Sequence, residues 1–445
     1  MRYAARIATA IELLTAIDET QRAADRSLEH WARQNRYAGA KDRRFIQELV
    51  YSVLRHRRYL AWVMDDPSWR SCVIAAAIKG YLPEASSASA AHALSLDSLF
   101  DGSQYGPAPL SDDERQRAQQ GIVRKTDDPM IVHSIPDWAE NHFLERFGSC
   151  AVDEMAALNR RAPVDLRVNQ SKTDLAGAQK SLAEDGIDAH TIDPAIDFAI
   201  DPAIGHSLAL TCATSASGQL RASRAFKEGW VEVQDRGAQM ITRLVCRPED
   251  RIVLDYCAGA GGKALHLADL LGAQADIFVH DISEQRLTGL WPRQKRASAH
   301  HIKPAMGEGL TSLTARADLV IVDAPCSGSG RWRRNPETKW QFSSQRLEDV
   351  TQQQADVLVE AARYVRPGGR LAYMTCSLFR AENRAQIEKF LTENPQFEEA
   401  NLNFEQEKIP ACSSSGASTC IHDYELSPHA TGSDGFYVAV MRRRA

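Results

Sequence analysis

The chain has 445 residues, 44% of them apolar, and a formal net charge of −5. That length predicts roughly two to four domains, and the apolar fraction supports buried cores and excludes a disordered chain. The negative balance excludes a uniformly basic nucleic-acid coat, which leaves phosphate contact to local patches at Lys41–Arg44, Arg55–Arg58, Arg331–Arg334 and Arg442–Arg444, each of which also reads as an ordinary solvated face.

Residues 3–82 carry helical periodicity, with Ile7, Ile11, Leu14 and Ile17 on one stripe and Leu28 and Trp31 on the next. Asp42 is placed to cap a third helix bearing Phe45, Leu49, Val53 and Leu54. A small helical bundle is expected over residues 1–83. Residues 84–128 begin poor in large apolar side chains and rich in Gly, Pro and Ser, which predicts a linker or loose hairpin. Residues 129–235 mix a helix at Trp138–Phe147, a strand at Val164–Val168, an amphipathic helix at Asp174–Asp185 and a strand at Gly229–Val233, which predicts a small α+β domain.

Over residues 236–445 strands and helices alternate. Strands are expected at Arg251–Asp255, Asp276–Asp281, Ile302–Met306, Leu319–Asp323, Leu371–Thr375 and Phe436–Met441. Helices are expected at Lys263–Leu271, Ser283–Arg296, Leu347–Val365 and Arg380–Thr392. Such alternation predicts an α/β fold with a doubly wound, mainly parallel sheet, whose ligands bind beyond the carboxyl ends of the strands.

The nine cysteines form no Cys-x-x-Cys pair, and Cys412 and Cys420 lack the companion spacing of a zinc site, so no metal is expected. Cys72, Cys150, Cys212 and Cys246 read as small buried hydrophobes. With no signal-peptide core and no apolar run near a membrane span, a reduced cytoplasmic protein is expected.

The turn Asp-Tyr-Cys-Ala-Gly-Ala-Gly-Gly-Lys at 255–263 follows the first strand of this half and opens a helix, where glycines allow close approach to a ligand. Its spacing is not Gly-x-Gly-x-x-Gly, which disfavours a dinucleotide fingerprint. Asp281, twenty residues after Gly261, is placed either to take an adenosine's ribose hydroxyls or to cap the next helix. With Glu308 and Asp323 it would make an acidic cup, suited to a cationic sulfonium such as S-adenosyl-L-methionine rather than to a polyphosphate.

Cys326 and Cys376 each follow a strand, and neighbouring strands lie about 4.8 Å apart, so both thiols are expected to overhang one cavity. Two thiols beside a methyl donor suit pyrimidine methylation. A thiolate added to carbon 6 makes carbon 5 nucleophilic, and a second group must remove the carbon 5 proton so that the thiol can leave. Lys263 is the nearest cation by sequence to lower a thiol pKa, and Asp323 is placed to hold ring nitrogen 3 and the exocyclic amine.

These residues resemble the RsmB/Sun-type family of RNA cytosine-C5 methyltransferases. The resemblance rests on Asp-Ala-Pro-Cys-Ser-Gly-Ser-Gly (323–330), Arg-Arg-Asn-Pro-Glu-Thr-Lys-Trp (333–340), Thr-Cys-Ser (375–377) followed by Glu382-Asn383, and Asp434-Gly435-Phe436. Leu-Arg-Val-Asn (166–169) and Val-Gln-Asp (233–235) resemble the family's RNA-binding segment and its junction with a class I methyltransferase domain, and the N-terminal helices resemble a NusB-like bundle. By resemblance, Cys376 is the nucleophile and Cys326 assists product release. The cofactor would lie on Cys257, Ala258, Gly259, Ala260, Gly261, Gly262, Lys263, Asp281, Glu308 and Asp323. RNA would meet Arg167, Asn169, Arg331, Trp332, Arg333 and Arg334. The family's Ala-Ala-Pro-Gly-Gly-Lys-Thr reads Ala-Gly-Ala-Gly-Gly-Lys-Ala here, and Glu308 stands where an Asp is common.

The expected function is therefore RNA cytosine-C5 methylation, with 16S rRNA as substrate. A tRNA substrate, or a non-catalytic RNA-binding or ribosome-assembly factor, stands as the alternative.

Overall fold

A computed structural model of the chain describes residues 1–83, 95–191, 209–212, 217–403 and 421–445. The chain forms two compact units: Met1–Arg160 with Arg331–Ser344, and Arg161–Gly330 with Gln345–Ala445. Cys412 and Cys420 lie outside the described residues.

The first unit is helical, built on α1 (Tyr3–Thr20), α2 (Ala24–Gln34), α3 (Ala40–Met64), α4 (Trp69–Ile78), α5 (Leu96–Leu99) and α6 (Asp112–Val123). The expected stripes face inward: Ile7, Leu14, Ile17, Phe45, Leu49 and Val53 are all buried in one core. Asp42 stands in the first turn of α3 and accepts the Gly39 N–H at 3.0 Å and the Arg6 Nε–H at 2.8 Å.

The linker expected over 84–128 is corrected in its described part. Ser95 and Ser111 cap α5 and α6, Glu114 completes a capping box, and Leu99, Phe100, Leu110 and Ala118 enter the bundle core. Few large apolar residues occur there, but these four are inserted, while Tyr105, Ile122 and Val123 stay exposed. Residues 84–94 lie outside the described residues. The helical unit also takes in Glu140–Phe147, the helix expected at Trp138–Phe147 in the α+β domain, and Ala151–Leu158, a helix with no sequence expectation.

The segment Arg331–Ser344 supplies part of this unit's core. Trp332 is fully buried, edge-on to Trp138 at 6.1 Å and stacked on Phe143 at 5.7 Å between ring centroids. Lys339 is also fully buried, donating to Asn159 Oδ1 at 3.0 Å, while Trp340 Nε1 donates to the Leu54 carbonyl at 2.6 Å.

In the second unit, β1 (Val164–Val168), β2 (Ala189–Thr191), β3 (Ala209–Cys212) and β4 (Val231–Val233) form an antiparallel sheet in the order β2-β3-β1-β4. The helix Leu175–Glu184 belongs to this layer, its N-cap Asp174 accepting the Gly177 N–H at 2.7 Å.

The larger sheet comprises β5 (Ile252–Asp255), β6 (Asp276–Val279), β7 (Ile302–Pro304), β8 (Ala317–Asp323), β9 (Val365–Thr375), β10 (Phe397–Glu399), β11 (Asp423–Leu426) and β12 (Phe436–Arg443). The order is β10-β12-β9-β8-β5-β6-β7, with β11 also on β12. Strands β9, β8, β5, β6 and β7 pair in parallel, and β12 runs antiparallel against β9. Chain order reverses between β5 and β8, the switch point where such sheets take ligands.

The expected helix Ser283–Arg296 is divided into Glu284–Leu287 and Leu290–Ala297. Pro292 falls in the first turn of the second piece, where its missing N–H has no intrahelical partner to lose. The helix Arg236–Val245 and strands β10 and β11 had no sequence expectation.

Candidate active site

β5 ends at the buried Asp255, and the turn beyond it reaches the helix Gly262–Leu271 through Gly261 at φ +76°. A Cβ on Gly261 would stand 2.3 Å from Leu290 Cδ1, and its φ lies in the left-handed region, so this position favours glycine. Asp281, just past β6, is 1% exposed and accepts the Gly259 N–H at 2.9 Å and the Ser283 N–H at 3.0 Å. Each of its oxygens keeps acceptor capacity, so the ribose and cap readings are both compatible with this geometry.

Lys263 Nζ lies 2.6 Å from Asp323 Oδ2. The lysine is therefore paired with that carboxylate rather than set on a thiol, which corrects the expected cation. Burial, with Asp323 nearby, pushes the Asp255 carboxyl up to about 8, and its buried Oδ1 has no hydrogen-bond partner among the described residues. Asp255, Asp281 and Asp323 thus collect acidity at the switch point. Glu308 is exposed at the head of the short helix Glu308–Thr311, beyond β7. Ala260 is exposed, while Cys257, Ala258, Gly259 and Gly262 are half-buried.

The thiols converge. β8 and β9 are parallel neighbours with Asp323 opposite Met374, and Cys326 Sγ lies 3.3 Å from Cys376 Sγ. Both cysteines are half-buried. Their hydrogen bond raises the Cys326 thiol well above its ordinary range, with burial adding to it. The two loops are laced together: Ala324 N–H donates to the Met374 carbonyl at 2.9 Å and Gly330 N–H to the Cys376 carbonyl at 2.9 Å. Asn383 brackets the second thiol, accepting from Thr375 Oγ1 at 2.6 Å and donating to the Ser377 carbonyl at 3.0 Å.

Of the other cysteines, Cys72, Cys212 and Cys246 are buried as expected, but Cys150 is exposed, at the end of a short 3-10 turn that leaves its side chain outside the core. Among the described residues no group of three or more His, Cys, Asp or Glu side chains is placed to hold a metal ion, and no helix is long and apolar enough to cross a membrane.

Of the residues expected against RNA, the buried Trp332, Arg333, Arg167 and Asn169 need correction. Trp332 is fully buried and Arg333 nearly so, because both serve the helical unit's interior; Trp332 offers no ring face to a base. Arg331 is exposed and Arg334 half-buried. Arg167 is 4% exposed, held by Asp269 at 3.0 Å and Gln234 at 2.9 Å. Asn169 is buried too, donating to the carbonyls of Gly229 at 3.1 Å and Ala297 at 3.2 Å. These two polar side chains join the small sheet to the larger domain. Of the basic runs, Arg55 donates to the Arg333 carbonyl, Arg57 covers the Trp69 ring, and Arg58 pairs with Asp137 and Glu140.

Two residues of the site were not singled out from sequence. Asp255 stood unremarked inside the quoted turn, and Glu382 appeared only as part of a motif; a buried carboxylate close to reacting groups has no periodic signature.

Comparison with known proteins gives a consistent family. The model of a family described as 16S rRNA methyltransferase RsmB/F matches residues 241–442, and one described as the RsmF/B-like ferredoxin-like domain matches residues 135–200. The probable ribosomal RNA small subunit methyltransferase B of Synechocystis sp. is 29% identical over 426 residues, covering 90% of this chain and 91% of that protein. The ribosomal RNA small subunit methyltransferase B of Pasteurella multocida is 31% identical over 337 residues, covering 74% and 69%. Among solved structures, PH0851 superposes with a TM-score of 0.72 at 21% identity, covering 99% of both chains. A methyltransferase homolog protein from Pyrococcus horikoshii gives 0.56 at 22% identity, covering 71% of this chain and 98% of that one. At those identities the structural likeness speaks for the fold alone.

Proposed function

Because the chain belongs to the RsmB/F family of 16S rRNA methyltransferases, we propose that it methylates carbon 5 of a cytosine in small-subunit rRNA, using S-adenosyl-L-methionine, in the cytoplasm. The observation that carries the reading is the 3.3 Å approach of Cys326 and Cys376 beyond the parallel strands β8 and β9.

The residues present fit the cofactor. Glycines at 259, 261 and 262 admit close backbone approach, and the Asp281 and Asp323 carboxylates, beside the buried Asp255, suit a cation. When bound, S-adenosyl-L-methionine supplies an electrophilic methyl group. Cys257–Lys263 would line its path, Asp281 and Glu308 would take its nucleoside, and Asp323 would lie nearer the cytosine.

The chain's own groups divide the work. Cys376, as thiolate, adds to carbon 6 of a flipped-out cytosine and makes carbon 5 nucleophilic. Cys376 and Cys326 share one hydrogen bond, so the second sulfur stands within reach of the ring that the first attacks. Asp323, with Lys263 against it, orients nitrogen 3 and the exocyclic amine. After methyl transfer the proton on carbon 5 leaves to a base, the carbon–sulfur bond breaks, and the thiolate returns; Cys326 is the group at hand for this release.

Two substitutions test the roles. Cys376→Ala is expected to abolish both methylation and any covalent RNA adduct, whereas Cys326→Ala is expected to accumulate the adduct as a slow band on a denaturing gel. An adduct that survives Cys376→Ala and disappears in Cys326→Ala reverses the assignment. Bisulfite sequencing of RNA from cells with and without the protein identifies the nucleotide.

A further inference from the structure

Cys326 and Cys376 lie fifty residues apart in sequence, on separate loops. Both loops close on one buried carboxylate. Glu382 Oε2 accepts from the hydroxyl of Ser327 at 2.6 Å and from that of Ser377, the residues directly following the two cysteines. Its Oε1 accepts the Ser327 backbone N–H at 2.7 Å and the Gln354 amide at 3.1 Å. Gln354 also donates to the carbonyl of Pro325, directly before Cys326, at 2.8 Å.

Glu382 is fully buried, and the four donors it meets are neutral. With both Glu382 oxygens occupied twice, displacing any of these donors leaves a buried polar group unpaired. Moving either loop breaks bonds that the other loop shares.

We infer that Glu382 is a positioning residue that sets the separation and aim of both thiols by holding Ser327 and Ser377 on a single carboxylate, an inference that rests on the methyltransferase reading above. Two sulfurs must address adjacent carbons of one ring, and a misplacement of about 1 Å in such an arrangement costs on the order of 100-fold in rate. Glu382 itself touches neither sulfur.

The test uses Glu382→Asp, which keeps the charge but withdraws it by one methylene, and Glu382→Gln, which keeps the reach. In the Gln variant the amide oxygen still serves the Ser327 N–H and Gln354, and the two serine hydroxyls can rotate to accept from the new amide. Thermal melts establish that each variant is folded.

The decisive readout is closure of the Cys326–Cys376 disulfide by diamide, followed by peptide mass mapping. Two thiols lose two protons and two electrons, and the diazene is reduced to the hydrazine. Closure is expected to be at least about tenfold slower in Glu382→Asp and near the wild-type rate in Glu382→Gln. Turnover on RNA is expected to fall on the order of 100-fold in Glu382→Asp, with KM for S-adenosyl-L-methionine within about twofold.

Wild-type rates of closure and turnover in both variants would overturn the inference, and so would a Gln variant as slow as the Asp variant, since charge rather than reach would then matter. If Glu382→Asp does not fold, the Gln variant compared with Gln354→Ala, which removes one donor, decides by the same readouts. Failure of the underlying reading looks different: wild-type protein would close the disulfide yet methylate no RNA.

Discussion

The ammonium of Lys263 lies 2.6 Å from Asp323 Oδ2 and thereby ties the second residue of the helix Gly262–Leu271 to the end of β8. The glycine turn and the strand that leads to Cys326 are joined at this ion pair. Lys263→Met leaves the Asp323 carboxylate without its cation beside the buried Asp255. Breaking a fully buried pair costs about 3–5 kcal/mol, but solvent reaches Asp323, so a loss of about 1–3 kcal/mol in urea unfolding is expected. Single-turnover methylation is expected to fall more than that stability loss explains, by at least about 100-fold. Activity close to wild type in the Met variant contradicts a role for this pair.

The raised Asp255 carboxyl makes stability depend on pH. Burial, with Asp323 nearby, pushes it up to about 8, whereas an unfolded aspartate titrates near 3.9. Between those values the folded state holds a proton that the unfolded chain has released, so stability falls as pH rises from about 4 to about 8. Asp255→Asn removes this titration. Its melting temperature relative to wild type is therefore expected to increase between about pH 5 and about pH 8. A difference that does not change with pH rules out the raised carboxyl.

Gly330 and Gly435 meet backbone to backbone. A Cβ on Gly330 would stand 2.2 Å from the Gly435 carbonyl oxygen, and one on Gly435 would stand 2.4 Å from Leu378 Cδ2 and 2.8 Å from Gly330 Cα. Because backbone cannot yield as a side-chain tip can, Gly435→Ala should destabilise by about 1–3 kcal/mol and lower adduct formation with RNA. Gly309→Ala, where nothing lies within 4 Å, serves as the neutral comparison. Equal stabilities of the two variants count against the close approach.

Trp332 discriminates between a core and an RNA-stacking role. As a fully buried ring on Trp138 and Phe143, its replacement by Ala is expected to cost about 3–5 kcal/mol of stability. RNA affinity, measured on the folded fraction, should change by less than about threefold, because base–aromatic stacking lost on such a substitution would show as about 1–3 kcal/mol. A stable variant with weak RNA binding reverses the assignment.

Much of the methyltransferase half was legible from residue order. The apolar runs ending at Asp255, Asp323 and Thr375, punctuated by glycine and proline, are strands β5, β8 and β9. Their neighbourhood follows from the winding of alternating strands and helices. The helical unit's inward stripes were equally readable because period and burial coincide there. The linker reading of residues 84–128 failed where a few apolar residues, Leu99, Phe100 and Leu110, are inserted into the core.

Local pattern by itself determined the elements, the acidic strand ends and the pair of cysteine loops, because backbone geometry repeats every few residues and writes that repeat into side-chain choice. Only the tertiary structure decided that Arg167 belongs to Asp269, that Lys339 belongs to Asn159, and that Trp332 is interior rather than facing a nucleic acid. Those partners stand 102 residues apart for Arg167 and 180 apart for Lys339. A polar or aromatic side chain looks the same in sequence whether it meets solvent, a ligand or a distant carboxylate, since its environment is created by chain closure.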